Sequence, residues 1–257
     1  MKIKNIILSG ISLLALTACN DFLDVDAPSS YTPDFVFSQE TEISRALNGV
    51  YAKAIVNNLY GDAYQNTFVL NSDVEMQIFS SNAHSKTSYA RFDCDDTGGN
   101  ILSFWTAAYS LIEEANKFIY NLEHSPIYDE KNSNIMQWLG EAKCLRAMAY
   151  HDLVVMFGDV PFRFNKADDD GANYTIPVLD RTAVQDSIIA DLKKASLHMQ
   201  YANAVTVERC SKEFAQALIS RIALTAGGYS LRPDKSNPKS YGTMQRPDNY
   251  LEYYKIA

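Results

Sequence analysis

The chain has 257 residues, a formal net charge of −8 at neutral pH, 47% hydrophobic residues and 16 tyrosines. A chain of that length buries a sizeable core, in one large domain or two smaller ones. Its acidic balance argues against a nucleic-acid partner, whose phosphates need a basic footprint, and against electrostatic docking on anionic lipid.

Lys2 and Lys4 open the chain, and Ile6 to Leu16 is apolar apart from Ser9, Gly10 and Ser12. A basic start, a short apolar middle and the small residues Thr17 and Ala18 make a secretion signal over residues 1–18. The run is too short for a membrane span, which takes about 20 residues. Cleavage there removes two lysines and no acids, so the charge moves from −8 to −10. Leu16-Thr17-Ala18-Cys19 resembles a bacterial lipobox. That resemblance implies that Cys19 takes a lipid on its sulfur and becomes the first residue of the mature chain. Stable anchoring needs more than one acyl chain. Residues 19–37, with Asp21, Asp24 and Asp26, then read as a lipidated tether, and 38–257 as the folded domain.

Ser38 is placed to cap a helix to about Ile55, with Ile43, Leu47, Val50 and Ala54 on one face. A second helix is predicted over 103–122, with Trp105, Tyr109, Ile112, Asn116 and Ile119 aligned. A third runs over 135–157 and stops at Gly158, with Pro161 beyond. Thr182-Ala183-Val184-Gln185 has the capping-box pattern and opens a fourth through Ile188 and Leu192. Ser211 caps a fifth that ends at Gly227-Gly228, and Tyr250 begins a sixth. The fold class is therefore all-α, with long amphipathic helices packed as antiparallel pairs. Ala142, Ala149, Ala215 and Ala223 suit the close approach of paired-helix solenoids, although no clean 34-residue period is present. The stretches 60–100 and 229–249 lack helical pattern, and loops of that length tend to carry function. The last residues start a helix with no stop signal, so the chain is expected to be the N-terminal part of a longer protein.

Metal and thiol chemistry find little support. Cys94, Cys144 and Cys210 are odd in number and widely spaced, and Cys144 and Cys210 sit in helix-like patterns as small core residues. The four histidines show no zinc spacing. Asp168-Asp169-Asp170-Gly171 starts like a calcium loop, but Lys166 and Pro177 fall where carboxylates are needed. No cofactor is indicated.

Several stretches taken together carry a family resemblance. They are Cys19-Asn20-Asp21-Phe22-Leu23-Asp24, the helix with Ala46-Leu47-Asn48-Gly49-Val50-Tyr51, and Trp105 with Tyr109 and Ala115-Asn116. Gly140-Glu141-Ala142-Lys143-Cys144-Leu145-Arg146-Ala147-Met148-Ala149-Tyr150 follows, running on to Phe157-Gly158-Asp159-Val160-Pro161. Ala215 to Gly228 with Arg221 completes the set. In this order they resemble the SusD/RagB family of outer-membrane nutrient-binding lipoproteins over essentially the whole mature chain. The resemblance implies tetratricopeptide-like helix pairs with long irregular loops. It also implies a lipid anchor at the cell surface and a non-catalytic protein. Such a protein captures oligosaccharides, or sometimes peptides, for a partner TonB-dependent outer-membrane transporter.

Arg146, Tyr150, Trp105 and Asn116 are expected to lock helices together, and a buried Asn116 needs hydrogen-bond partners. The ligand site is expected elsewhere, because a sugar needs an aromatic platform for its C–H face beside amides, carboxylates or Arg for its hydroxyls. The resemblance points partly to the loop before the Trp105 helix. Its candidates are Tyr89, Arg91, Phe92 and Asn100, with Asp73 and Glu75 upstream. The loop holds no Trp, where some starch-binding members of that family have one, so the resemblance argues against starch as the ligand. Two other readings compete. In one the helices only hold the transporter. In the other, Asp73, Glu75, Asp93, Asp95 and Asp96 supply a hydrolytic carboxylate pair, which needs a separation of ~5–9 Å; acids in polar loops are ordinarily just solvated.

Overall fold

The computed structural model describes residues 31–64, 99–167, 176–234, 236–237 and 242–257. Tyr31–Phe35 belong to one compact unit and Val36–Ala257 to another. The helices among the described residues are α1 Pro33–Val36, α2 Glu40–Ala54, α3 Gly99–Glu123, α4 Ser133–Phe157, α5 Arg181–Ser196, α6 Lys212–Gly227 and α7 Tyr250–Ile256. Two small antiparallel sheets interrupt them. Strand β1 (Val160–Pro161) pairs with β2 (Val178–Leu179), with Val160 opposite Leu179. Strand β3 (Ser230–Arg232) pairs with β4 (Thr243–Gln245), with Leu231 opposite Met244. The all-α reading holds; no helix among the described residues is long and apolar enough to cross a membrane.

Helix α4 is the axis of the bundle. A helix that buries one stripe hides residues three and four apart, yet here every residue from Ala149 to Val154 is buried, as is the run Leu139 to Ala142. Burial around more than a full turn requires neighbours on all sides. Helices α2, α3, α5 and α6 supply them. Ile43, Leu47 and Val50 of α2 are fully buried, each contributing roughly 1.5–3 kcal/mol of apolar transfer.

The chain alternates in direction. Helices α3 and α4 each have 25 residues, about 37 Å at the helical rise, whereas residues 124–132 span at most about 30 Å extended. Two such helices in contact must therefore run antiparallel. Short links at 124–132 and 197–211 make the turns at one end of the bundle.

Helix boundaries differ from the sequence reading where several residues compete for a cap. Helix α2 starts at Glu40 with Gln39 in the cap position and no side-chain cap bond, rather than at Ser38. Helix α3 starts at Gly99, which puts Asn100 in its first turn. Asn132 caps α4, its Oδ1 accepting from the amides of Asn134 and Ile135. Asp180 caps α5, its Oδ1 accepting from Thr182 N at 2.8 Å. Thr182 is therefore inside the helix, its hydroxyl accepting from Arg232 Nη1 at 3.0 Å, and no capping box forms. Gln185 is buried instead. Ser211 caps α6 as expected, accepting from Phe214 N at 3.2 Å. Gly158 ends α4 at φ +81°, a backbone region that favours glycine.

Candidate ligand-binding end of the bundle

Alternation brings the ends of α2, α4 and α6 together with the starts of α3, α5 and α7. The contacts at that end are mostly aromatic and cationic. The Tyr64 ring stacks on Phe104 at 5.9 Å, and Trp105 meets Phe157 edge-on at 4.9 Å. The Arg181 side chain lies against Gly158, and Gly227 against Tyr254. The described parts of the connections at this end are residues 55–64, 158–167, 176–180, 228–234, 236–237 and 242–249. The opposite end holds the short links, fastened by Glu40, which accepts from Asn132 Nδ2 at 2.6 Å and Asn134 Nδ2 at 3.1 Å.

Buried polar side chains on α4 brace the bases of those connections. Asp152 accepts from the Tyr60 and Tyr64 hydroxyls, each at 2.7 Å, with Arg221 of α6 at 3.7 Å. This fixes the chain just before residue 65. Burial raises the Asp152 carboxyl above its ordinary range, opposed by the two phenols and Arg221. Burial beside that carboxylate also raises both phenols. The neighbouring His151 is buried, its Nδ1 without a partner among the described residues, and burial holds its imidazole down to about 4. Tyr150 holds the next connection: its hydroxyl donates to Arg163 O at 2.8 Å and accepts from Arg163 N at 3.1 Å. Glu113 adds an ion pair with Arg163 at 3.2 Å and accepts from Ala167 N at 2.9 Å.

Two further networks tie helices together. Arg146 Nη1 donates to Asn116 Oδ1 at 2.6 Å, and its Nη2 to Asp191 Oδ2 at 2.7 Å. The guanidinium stacks on Phe164 at 3.9 Å. Asn116 in turn donates to Asn165 O at 3.1 Å, so its buried amide is satisfied at both ends. Glu141 accepts from Tyr51 Oη at 2.6 Å and Gln137 Nε2 at 2.9 Å, and pairs with Arg209 at 2.6 Å. The expectation that Arg146, Tyr150 and Asn116 lock the scaffold agrees with these contacts. Glu141 and Asp152 belong to the same class, and sequence reading did not single them out for it. Their position on an otherwise apolar α4 was the available signal. Cys144 and Cys210 are buried free thiols.

The sequence candidates for ligand contact separate. Asp73, Glu75, Tyr89, Arg91 and Phe92 lie outside the described residues, as do Cys19 and the acidic loop at 168–171. Asn100 sits partly exposed in the first turn of α3, at the loop end. At the same end is a cavity of about 550 Å³, between the end of α4, the start of α5 and the β3–β4 hairpin. Gly158, Asp159, Arg181, Tyr229 and Arg232 line it. None of these was a sequence candidate, because the two arginines are 51 positions apart (232 minus 181) and share no motif.

Alternating helices whose connections meet at one end define an all-helical scaffold. The family model described as SusD-like, starch-binding and associating with the outer membrane matches residues 21–224, and the chain belongs to that family. The SusD-like protein P2 of Formosa agariphila is 26% identical over 85% of this chain and 42% of its own. A SusD homolog from Bacteroides thetaiotaomicron superposes with a TM-score of 0.69 at 23% identity, over 77% of this chain and 38% of that one. A laminarin-binding SusD-like protein superposes at 0.60 with 26% identity, over 74% of this chain and 41% of that one. The chain thus spans about two fifths of the length of these relatives.

Proposed function

We propose that this protein is a cell-surface lipoprotein of the outer membrane that binds oligosaccharides and hands them to a TonB-dependent transporter. The observation that carries the reading is that the chain leaves α2, α4 and α6 and enters α3, α5 and α7 at one end of the helical bundle. Loops held by a stiff scaffold are where binding residues concentrate. Asn100 lies at that end, and the other candidates, Asp73, Glu75, Tyr89, Arg91 and Phe92, fall in sequence between Tyr64 and Asn100. The family's description and the laminarin-binding relative support carbohydrate as the ligand class. On this reading residues 1–18 are a cleaved signal, Cys19 carries the lipid, and 19–37 tether the fold to the outer face of the membrane. The protein binds without catalysis, and its deeply buried acids Glu141 and Asp152 serve as structural braces rather than as an acid–base pair.

The test is affinity electrophoresis of the purified protein through gels containing single polysaccharides, with reducing-sugar release followed in parallel. The reading expects retardation by at least one glycan, weakened by Asn100→Ala or Phe92→Ala, with no sugar released. A folded protein retarded by no glycan would overturn it, and sugar release would replace binding by hydrolysis.

A further inference from the structure

The cavity between α4, α5 and the β3–β4 hairpin has an unusual charge for this chain. Among the described residues its charged lining is two arginines against one aspartate, in a protein of net charge −8. Neither guanidinium is fully used. The Nε atoms of Arg181 and Arg232 are both buried, with no hydrogen-bond partner among the described residues. Among the described residues the acids acting on the Arg181 guanidinium are Asp159, at 4.0 Å from its Nε and beyond hydrogen-bond reach, and Asp180. Asp159 Oδ1 is meanwhile engaged by the Arg181 backbone amide at 3.0 Å. Arg232 spends Nη1 on Thr182 at 3.0 Å. Buried donors are ordinarily satisfied, and a guanidinium fork matches a carboxylate or sulfate in both shape and charge. The backbone is arranged around this fork. Gly158 sits at φ +81°, and a Cβ there would overlap Arg181 Nη2, so the glycine leaves the guanidinium its place at the cavity wall. Burial and the nearby Arg232 both lower Arg181 from its ordinary range, as expected for two cations sharing one space. The rest of the lining suits a sugar. Tyr229 is 64% exposed, with the Arg246 guanidinium over its ring at 5.2 Å, and Gln185, Thr225 and Ser230 add amide and hydroxyl groups. A volume of about 550 Å³ is within the range of small-molecule sites.

We propose that this cavity is a subsite for the acidic group of an anionic oligosaccharide, with a uronate carboxylate or a sulfate ester bound between Arg181 and Arg232 and a sugar ring against Tyr229. The assignment rests on the reading of this end of the bundle as the glycan-binding end, and names the ligand class there.

The experiment is calorimetric titration of the purified protein with probes of matched length: an oligogalacturonate, a sulfated galactan oligosaccharide and a neutral laminari-oligosaccharide, with sodium sulfate as a fourth. One of the two acidic sugars is expected to bind at least about tenfold tighter than the neutral one, and to weaken as sodium chloride is raised. Whichever acidic sugar binds identifies the anion. Arg181→Gln and Arg232→Gln should each cost about tenfold for that probe and leave the neutral probe unchanged. Arg232→Gln, on the short hairpin, decides the matter if Arg181→Gln melts early. Equal binding of acidic and neutral sugars, insensitive to both substitutions, would overturn this subsite while the glycan-binding reading stands. No binding of any sugar, with or without binding of sulfate alone, would overturn both.

Discussion

Arg146→Ala tests whether α4 organises the bundle through its buried polar heads. Arg146 is 3% exposed. The substitution removes the hydrogen bonds to Asn116 and Asp191 and the stacking on Phe164. Removing one partner of a buried pair costs about 3–5 kcal/mol, chiefly because the other charge is left unpaired. Asp191 is 16% exposed and keeps Lys143 at 3.0 Å, so its charge is not stranded. Asn116 Oδ1 does lose its donor, and the guanidinium leaves a void among α3, α4 and α5. The loss should therefore fall at the low end, about 3 kcal/mol. For a domain of this size 1 kcal/mol corresponds to about 2–4 °C, so Tm should fall by about 6–12 °C. Thermal melting followed by far-ultraviolet circular dichroism reads this directly. Lys143→Ala should cost less, because Arg146 still holds Asp191. A drop below about 2 °C for Arg146→Ala would refute the reasoning, since the network would then carry no net stability.

His151 predicts a pH dependence. Its folded pKa is depressed to about 4 from 6.5, so the unfolded chain binds more protons between those values. The associated stability is full above pH 6.5 and is lost as pH falls toward 4. His151→Leu should remove about 2 kcal/mol of the wild type's loss between pH 6.5 and 5, read by urea titration at each pH; equal slopes for the two proteins would refute it. Tyr150→Phe deletes both hydrogen bonds to Arg163 and should cost about 1–2 kcal/mol. Hydrogen exchange should then speed up at the Arg163 amide, and an unchanged rate would place that amide's protection elsewhere. Cys19→Ala should abolish palmitate labelling and outer-membrane retention in the producing cell; labelling that persists would remove the proposed anchor.

Periodicity alone located the helices that matter most. Ile43, Leu47 and Val50 mark one face of α2, and the apolar run 135–157 marks α4, because side-chain spacing along a helix is a local property. Gly158 and Ser211 were readable as a stop and a cap for the same reason. Arg146 and Asn116 were legible as internal locks because each interrupts an apolar face and must be paired there. Local signals failed where two residues qualified equally. Thr182 matches a capping box, yet Asp180 lies two residues earlier and takes the amide first. Strands of two or three residues, such as β1 and β3, are too short to show a period. Of the sequence candidates for the ligand, only Asn100 falls within the described residues.

Two decisions belonged to the tertiary structure. One is that Glu141 and Asp152 are braces, since their partners Tyr51, Arg209, Tyr60 and Tyr64 come from other parts of the chain. The other is that Arg181 and Arg232 share a cavity. The first depends on how α2 and the 197–211 link pack on α4, the second on how α4, α5 and the β3–β4 hairpin meet, and packing joins residues that no local pattern relates. The sequence by itself determined which segments become helices and which of their faces turn inward, because apolar spacing acts within a few turns. Which charged side chains then meet was decided only when those faces packed together.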